Sequence, residues 1–185
     1  MTRAFVAVSP PEAVLDAVAD ATSTLEPART LESAGVRRTT RDQWHVTLQF
    51  LGNAADIDAV GDALAGLPVG ASTVRLGGAG AFPRDRRGRV LWIGTREGAE
   101  FLDVLAREVG ARLAPIGHTP ESRSFHPHLT LARAKEPTDF SGAIASLGIR
   151  EAGPAWTVSE IVVFESRLSR DGARYLPRRT VTLRS

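Results

Sequence analysis

Two short stretches of this chain carry the same pattern, His45-Val46-Thr47-Leu48 and His128-Leu129-Thr130-Leu131. Histidine is the side chain that takes up and releases protons near neutral pH. In an extended strand, successive side chains point to opposite faces. His45 and Thr47 are therefore expected on one face, with Val46, Leu48 and Phe50 on the other. His128 and Thr130 share a face in the same way, with Leu129 and Leu131 opposite. Each copy can bury its aliphatic side and present one imidazole and one hydroxyl to a cleft. Two such strands facing each other hold what is needed to open a phosphodiester. One imidazole removes a proton from the attacking oxygen and the other protonates the leaving oxygen. The two threonine hydroxyls donate to the non-bridging oxygens while phosphorus is five-coordinate. The near-symmetry of the pair leaves open which histidine is acid and which is base.

The doubling is what carries weight, since a single His-x-Thr is ordinary in a strand. No carboxylate recurs at matching positions of the two copies, which disfavours a two-carboxylate mechanism. A zinc site built from His45, His126 and His128 is a competing chemistry, because strand residues at i and i+2 can both ligate. Pro127 and the missing duplicate of His126 make that set lopsided, and it leaves two threonines without a role. No metal and no cofactor are expected. His126 is placed at the groove rim near substrate, whereas His118 lies in a loop with no assigned role. The Gly77-Gly78-Ala79-Gly80 run lacks a following Lys-Ser/Thr and reads as a bulged strand rather than a triphosphate-binding loop.

The elements that position these residues also come in pairs. His45 and His128 are 83 positions apart, and at nearly the same offset Thr73-Val74 matches Thr157-Val158 and Phe82 matches Phe164. Upstream, Phe5-Val6-Ala7-Val8 and a following helix pattern parallel Val90-Leu91-Trp92-Ile93 and its helix pattern. Each half reads strand, helix, motif strand, helix, strand. Strands are expected near 3–8, 44–51, 73–82, 89–95, 128–134, 156–165 and 174–183, with helices near 11–25, 55–66, 97–114 and 138–147. Ser169-Arg170-Asp171-Gly172 is a hairpin signal, and 83–88 plays the same part in the first half. The expected class is α+β. Two pseudo-symmetric lobes, each a mainly antiparallel sheet with helices outside, enclose a central cleft within one bilobal domain over 1–185. The internal duplication divides the sequence at about 1–83 and 84–185. Which strands pair across the halves is not legible.

At 185 residues and 43% hydrophobic composition, the chain can bury a sizeable core. No stretch reaches the length of a membrane-spanning helix, and the apolar run from Ala4 to Val8 is too short for a signal-peptide core. The absence of cysteine excludes disulfide and thiolate chemistry and points to the cytoplasm. Of 23 basic residues, 22 are arginine and Lys135 is the single lysine. Arginine forks suit phosphate, although codon preference explains most of the bias. Local placement is more telling. Arg37, Arg38 and Arg41 are expected in the loop before the first motif. Arg84, Arg86, Arg87 and Arg89 crowd the first hairpin, and Arg167, Arg170 and Arg174 its counterpart. Two basic hairpins flanking the groove would attract a polyanion, with Arg84, Arg87 and Arg167 touching substrate. Alternation turns Arg133 away from His128 unless a bulge intervenes. With one, Arg133 joins the substrate-binding set. Phe5 is expected to line the groove and Trp44 to pack in the core, while Phe82 and Trp92 are candidate stacking platforms.

These residues resemble the two-histidine phosphoesterases and, within them, the bacterial and archaeal RNA 2′,3′-cyclic phosphodiesterases of the LigT type, also called 2′-5′ RNA ligases. The resemblance runs through Arg3-Ala4-Phe5-Val6-Ala7-Val8, Trp44 to Gly52, Gly80-Ala81-Phe82-Pro83, Arg89-Val90-Leu91-Trp92, Pro127 to Arg133 and Phe164 to Leu168. It implies metal-independent hydrolysis of a terminal 2′,3′-cyclic phosphate to a 2′-phosphate. By the same resemblance His45 is the proton donor to the leaving 3′ oxygen and His128 the proton acceptor from water. The implied partner is an RNA or oligonucleotide end bearing the cyclic phosphate, handled by a monomer without a membrane. The same pair could serve the reverse reaction, joining a 5′-hydroxyl to the cyclic phosphate. A non-catalytic nucleotide-binding module is the alternative reading.

Overall fold

The structure is a computed structural model that describes residues 3–23, 25, 35–53, 56–120, 122, 124–148, 151–169 and 172–184. Nine strands and four α-helices lie among them. In chain order these are β1 (Arg3–Val8), α1 (Glu12–Ser23), β2 (Val36–Arg38), β3 (Val46–Asn53), α2 (Ile57–Leu64), β4 (Ser72–Phe82), β5 (Gly88–Glu97), α3 (Ala99–Leu113), β6 (His128–Thr138), α4 (Ser141–Leu147), β7 (Trp156–Val158), β8 (Glu160–Ser169) and β9 (Gly172–Thr182). No described helix is long and apolar enough to cross a membrane.

The helices form where the apolar spacing allows. In α3 the buried residues Leu102, Leu105, Ala106, Val109 and Leu113 make one stripe of period near 3.6. In α2, the Asp56 side chain accepts from the backbone N–H groups of Asp58 and Ala59, satisfying two donors at the helix start, and Val60 and Leu64 face inward. β1 is buried from Ala4 to Val8 on both faces, as befits a strand with neighbours on each side and side chains covered above and below.

All strand pairs are antiparallel, in the order β7-β4-β5-β6-β3-β1-β8-β9, with β2 attached to β6. The two motif strands meet at a single residue pair, Val46 with Leu129, which are equivalent positions of the two motifs. The pseudo-twofold therefore passes between them. One lobe is β3-β1-β8-β9 and the other is β6-β5-β4-β7. Each lobe draws on both sequence halves: β8 from the second half lies beside β1, and β4 from the first lies beside β5.

Three details depart from the sequence reading. Arg37 and Arg38 are not in a loop but on β2, a three-residue edge strand that shows no periodicity of its own and is held by β6. The single strand expected at 156–165 is broken at Ser159 into β7, which pairs with β4, and β8, which pairs with β1 and β9. The two hairpins are also not equivalent. β5 returns on the inner side of β4, next to β6, whereas β9 returns on the outer side of β8 at the sheet edge. The turn residues Arg170 and Asp171 lie outside the described residues, although Ser169 and Gly172 pair on either side of them.

The candidate active site

Register places the site residues. Along β1 and β3, Val8 faces Val46, Ala7 faces Thr47, Val6 faces Gln49 and Phe5 faces Phe50. Along β5 and β6, Ile93 faces Leu129, Trp92 faces Thr130, Leu91 faces Ala132 and Val90 faces Arg133. The two ladders are equivalent residue for residue, and each skips one position: Leu48 in the first, Leu131 in the second. The extra residue is a bulge, which resets alternation beyond it. Leu48 and Gln49 are both buried, as are Leu131 and Ala132, and the next residues, Phe50 and Arg133, emerge on the exposed side. Strict alternation had put Phe50 with Val46 and Leu48. The bulge instead leaves Phe50 54% exposed with its ring 6.2 Å from Phe5, on the face that carries His45. The same device brings Arg133 to the histidines, close enough for its charge to act on both.

The carbonyls around the second bulge are capped by Thr39, the residue that follows β2. Thr39 N–H donates to the Leu131 carbonyl at 2.8 Å, and its hydroxyl donates to the Thr130 carbonyl at 2.7 Å. Trp44 packs against the core, and its indole N–H donates to the same hydroxyl at 3.0 Å. The segment leading to the first motif thus fixes the backbone of the second.

Each catalytic candidate sits in an aromatic cradle. The His45 ring stacks on Phe5 at 4.6 Å between centroids and meets the edge of Tyr175 at 5.1 Å, and Phe5 in turn stacks on Phe164 at 5.2 Å. His128 meets Phe82 edge-on at 5.0 Å, and His126 packs against Trp92 at 4.7 Å. The matched Phe82 and Phe164 of the sequence repeat therefore serve the two histidines in turn. Tyr175, the single tyrosine, was not singled out by sequence because nothing local shows that β8, and β9 with it, lies beside β1 and so near His45. Phe5 is only 3% exposed. Its ring supports His45 from behind instead of lining the groove.

Both imidazoles are half-buried, and each is held by the backbone two residues upstream. His128 Nδ1 lies 2.6 Å from the His126 carbonyl, and the His45 ring hydrogen-bonds the backbone of Gln43. A donating Nδ1–H leaves Nε2 of His128 to face a reactant. Burial pushes the His45 pKa down to about 4, the Gln43 bond opposes this, and the charges of Arg133 and His128 lower it further. Burial likewise lowers His128, against the His126 carbonyl and with help from His126 and Arg133. Both rings are neutral at pH 7 in the free protein. Among the described residues, no three His, Cys, Asp or Glu side chains converge as metal ligands, and the His126 and His128 ring centroids are 6.4 Å apart.

The remaining arginines divide by what they already hold. Arg38 donates to the Thr22 carbonyl at 2.9 Å, and Arg41 bridges Glu12 and Asp16, so both clamp α1. Arg167 bonds Glu165 at 2.8 Å, and Arg178 bonds the same carboxylate. Glu165 and Arg167 lie on the strand face opposite Phe164, so Arg167 is not brought to the histidines. The expected symmetry of the two basic hairpins fails because β9 lies on the outer edge. Arg84 and Arg87 are exposed on the turn that follows Phe82.

Gly80 and Gly94 make room for Trp92. A Cβ on Gly80 would stand 2.4 Å from the indole, and one on Gly94 would stand 3.1 Å from it. Gly80→Ala is expected to displace Trp92, costing about 1–3 kcal/mol of stability as an overpacked site does. The denaturant midpoint should fall with an unchanged slope, and His126 should lose its neighbour. A midpoint equal to that of the unsubstituted protein would contradict this packing.

Two pseudo-symmetric lobes with an imidazole and a hydroxyl from each make this a two-histidine site of the phosphoesterase kind. Residues 10–170 match the family model described as the 2'-5' RNA ligase superfamily, and the chain belongs to that family. It is 32% identical over 182 residues to an RNA 2',3'-cyclic phosphodiesterase of Methanothermobacter thermautotrophicus, covering 94% of both chains. It is 37% identical over 140 residues to one of Aeropyrum pernix, covering 72% of this chain and 78% of that one. The fold is similar to the crystal structure of Escherichia coli LigT in apo form, with a TM-score of 0.77, 28% identity and coverage of 100% of this chain and 98% of that one.

Proposed function

We propose that this protein hydrolyses the 2′,3′-cyclic phosphate at RNA ends to a 2′-phosphomonoester, as its relatives' names describe. The observation that carries this reading is the residue-for-residue equivalence of the two ladders, which sets His45, Thr47, His128 and Thr130 on one face across the Val46–Leu129 join. His128 accepts a proton from water as the oxygen attacks phosphorus. The P–O3′ bond breaks, and His45 delivers its proton to the 3′ oxygen. Thr47 and Thr130 donate to the non-bridging oxygens, and Arg133 balances their charge. His126, Arg84 and Arg87 contact the substrate near the second motif, and the chain works as a cytoplasmic monomer, since one chain supplies both motifs.

The low His45 pKa fits an acid only after substrate binds. The bound phosphodiester is an anion. It neutralises the Arg133 charge that lowers both rings, and it favours a protonated imidazole beside it. Because kcat/KM reports free-enzyme groups, its optimum is expected between pH 4 and 6.5, with kcat shifted to higher pH. Initial rates across pH at low and saturating substrate check this, and a kcat/KM optimum above pH 7 would contradict it.

The direct test is an oligonucleotide with a 2′,3′-cyclic phosphate end, incubated with the protein and a chelator. A 2′-phosphate product is expected. Intact cyclic ends at high protein concentration, with the nucleotide still bound, would instead favour the non-catalytic binding module.

A further inference from the structure

The bulge that turns Arg133 toward the histidines is held by the chain that leads into the first motif. On the β5 side Leu131 has no ladder partner, since Leu91 pairs with Ala132 and Trp92 with Thr130. On the other side β2 ends opposite Ala132, at Arg38. Thr39 is the next residue and closes the gap. Its N–H donates to the Leu131 carbonyl at 2.8 Å and its hydroxyl to the Thr130 carbonyl at 2.7 Å. The same hydroxyl accepts from the indole N–H of Trp44 at 3.0 Å. One half-buried hydroxyl therefore ties the residue before His45 to the threonine of the second motif.

A bulge is the place where the ladder supplies no partner, and its carbonyls need one from elsewhere. A hydroxyl can donate and accept at once, which is what this position demands. Valine has the same shape but would leave the Trp44 N–H and the Thr130 carbonyl unpaired. Without that tie the strand is free to relax toward regular alternation, which turns Arg133 to the opposite face. We infer that Thr39 is a positioning residue, whose hydroxyl fixes the second bulge in the form that delivers Arg133 to the phosphate between the histidines. Thr39 touches no reacting atom and acts through Arg133. This rests on the cyclic phosphodiesterase reading and adds to it a residue that lies in neither motif.

The experiment is a double-variant cycle on adenosine 2′,3′-cyclic phosphate. Thr39→Val is expected to lower kcat roughly ten- to hundredfold, as a misplacement of about 1 Å does, with KM changed less. Thr39→Ser keeps the hydroxyl and should restore most of the rate. Added to Arg133→Met, Thr39→Val should cost about threefold or less, because the group it positions is already gone. A merely structural role would cost the same in both backgrounds. A second readout needs no turnover: the ring titrations of His45 and His128 followed by NMR. Besides the imidazoles of His128 and His126, the charge that lowers these rings is that of Arg133. Both pKa values should therefore rise in Thr39→Val as in Arg133→Met, and stay in place in Thr39→Ser. A full Thr39→Val loss that persists beside Arg133→Met, or ring titrations that do not move, overturns the inference. Should Thr39→Val fail to fold, Trp44→Phe removes the indole donor and keeps a ring in the core. It should show the same two effects in smaller measure, and their absence is equally fatal. If the unsubstituted protein leaves the cyclic phosphate intact, the phosphodiesterase reading fails instead, and the ring titrations still decide the role of Thr39.

Discussion

Replacing His45 or His128 by alanine is expected to lower kcat by about 10²–10⁴ for each, the range removed with one positioned proton transfer. Neither change should unfold the protein. The rings are half-buried on the cleft face, outside the aliphatic core, and the cradles of Phe5, Phe164 and Tyr175 and of Phe82, Trp92 and His126 persist without them. The double variant is expected to lose far less than the product of the single losses, because groups that act as a unit are not additive. The two roles can be separated with a phosphodiester whose leaving group is p-nitrophenolate. Such a group departs without a proton, so the His45 variant should recover much of its deficit on it while the His128 variant does not. Single-turnover rates on both substrates give the comparison. Equal deficits would reverse or abolish the acid and base assignment, and either variant within tenfold of the unsubstituted rate would remove the mechanism.

Arg133→Met should lower kcat by about 10²–10³, the loss seen when one donor to a developing oxyanion is removed. Arg133→Lys should recover part of this, since it keeps the charge and loses the planar fork. A second readout distinguishes this from a merely structural role. The Arg133 charge lowers both histidines, so its removal raises both pKa values, and the kcat/KM optimum should move to higher pH in Arg133→Met and not in Arg133→Lys. An optimum that stays in place in the methionine variant would show that Arg133 does not face the rings.

Much of the site was legible because its chemistry is local in sequence. Two His-x-Thr pairs on strands must each share a face, and their duplication implied a common centre. The lobed α+β architecture followed from the alternation of short apolar strands with helix-length amphipathic stretches. The equivalence of Phe5-Val6-Ala7-Val8 with Val90-Leu91-Trp92-Ile93 holds in the observed register to the residue. The errors share one physical origin. A bulge costs a strand a single unpaired residue and leaves no composition signal in Val46-Thr47-Leu48-Gln49-Phe50, yet it inverts every side chain after it. Phe50 was misplaced for that reason, and Arg133 was left undecided.

The residues themselves settled which groups can move protons, which can hold an anionic oxygen, and that each exists twice. Those properties belong to side-chain types and to spacings of two along a strand. Only the tertiary structure decided that the halves exchange β4 and β8, that β9 sits on the outer edge and brings Tyr175 to His45, and that Arg167 answers to Glu165 rather than to the groove. Strand partnership is a contest among distant segments with similar apolar patterns. Its outcome depends on total burial and on backbone hydrogen bonds closed over the whole sheet, which no local stretch of sequence contains.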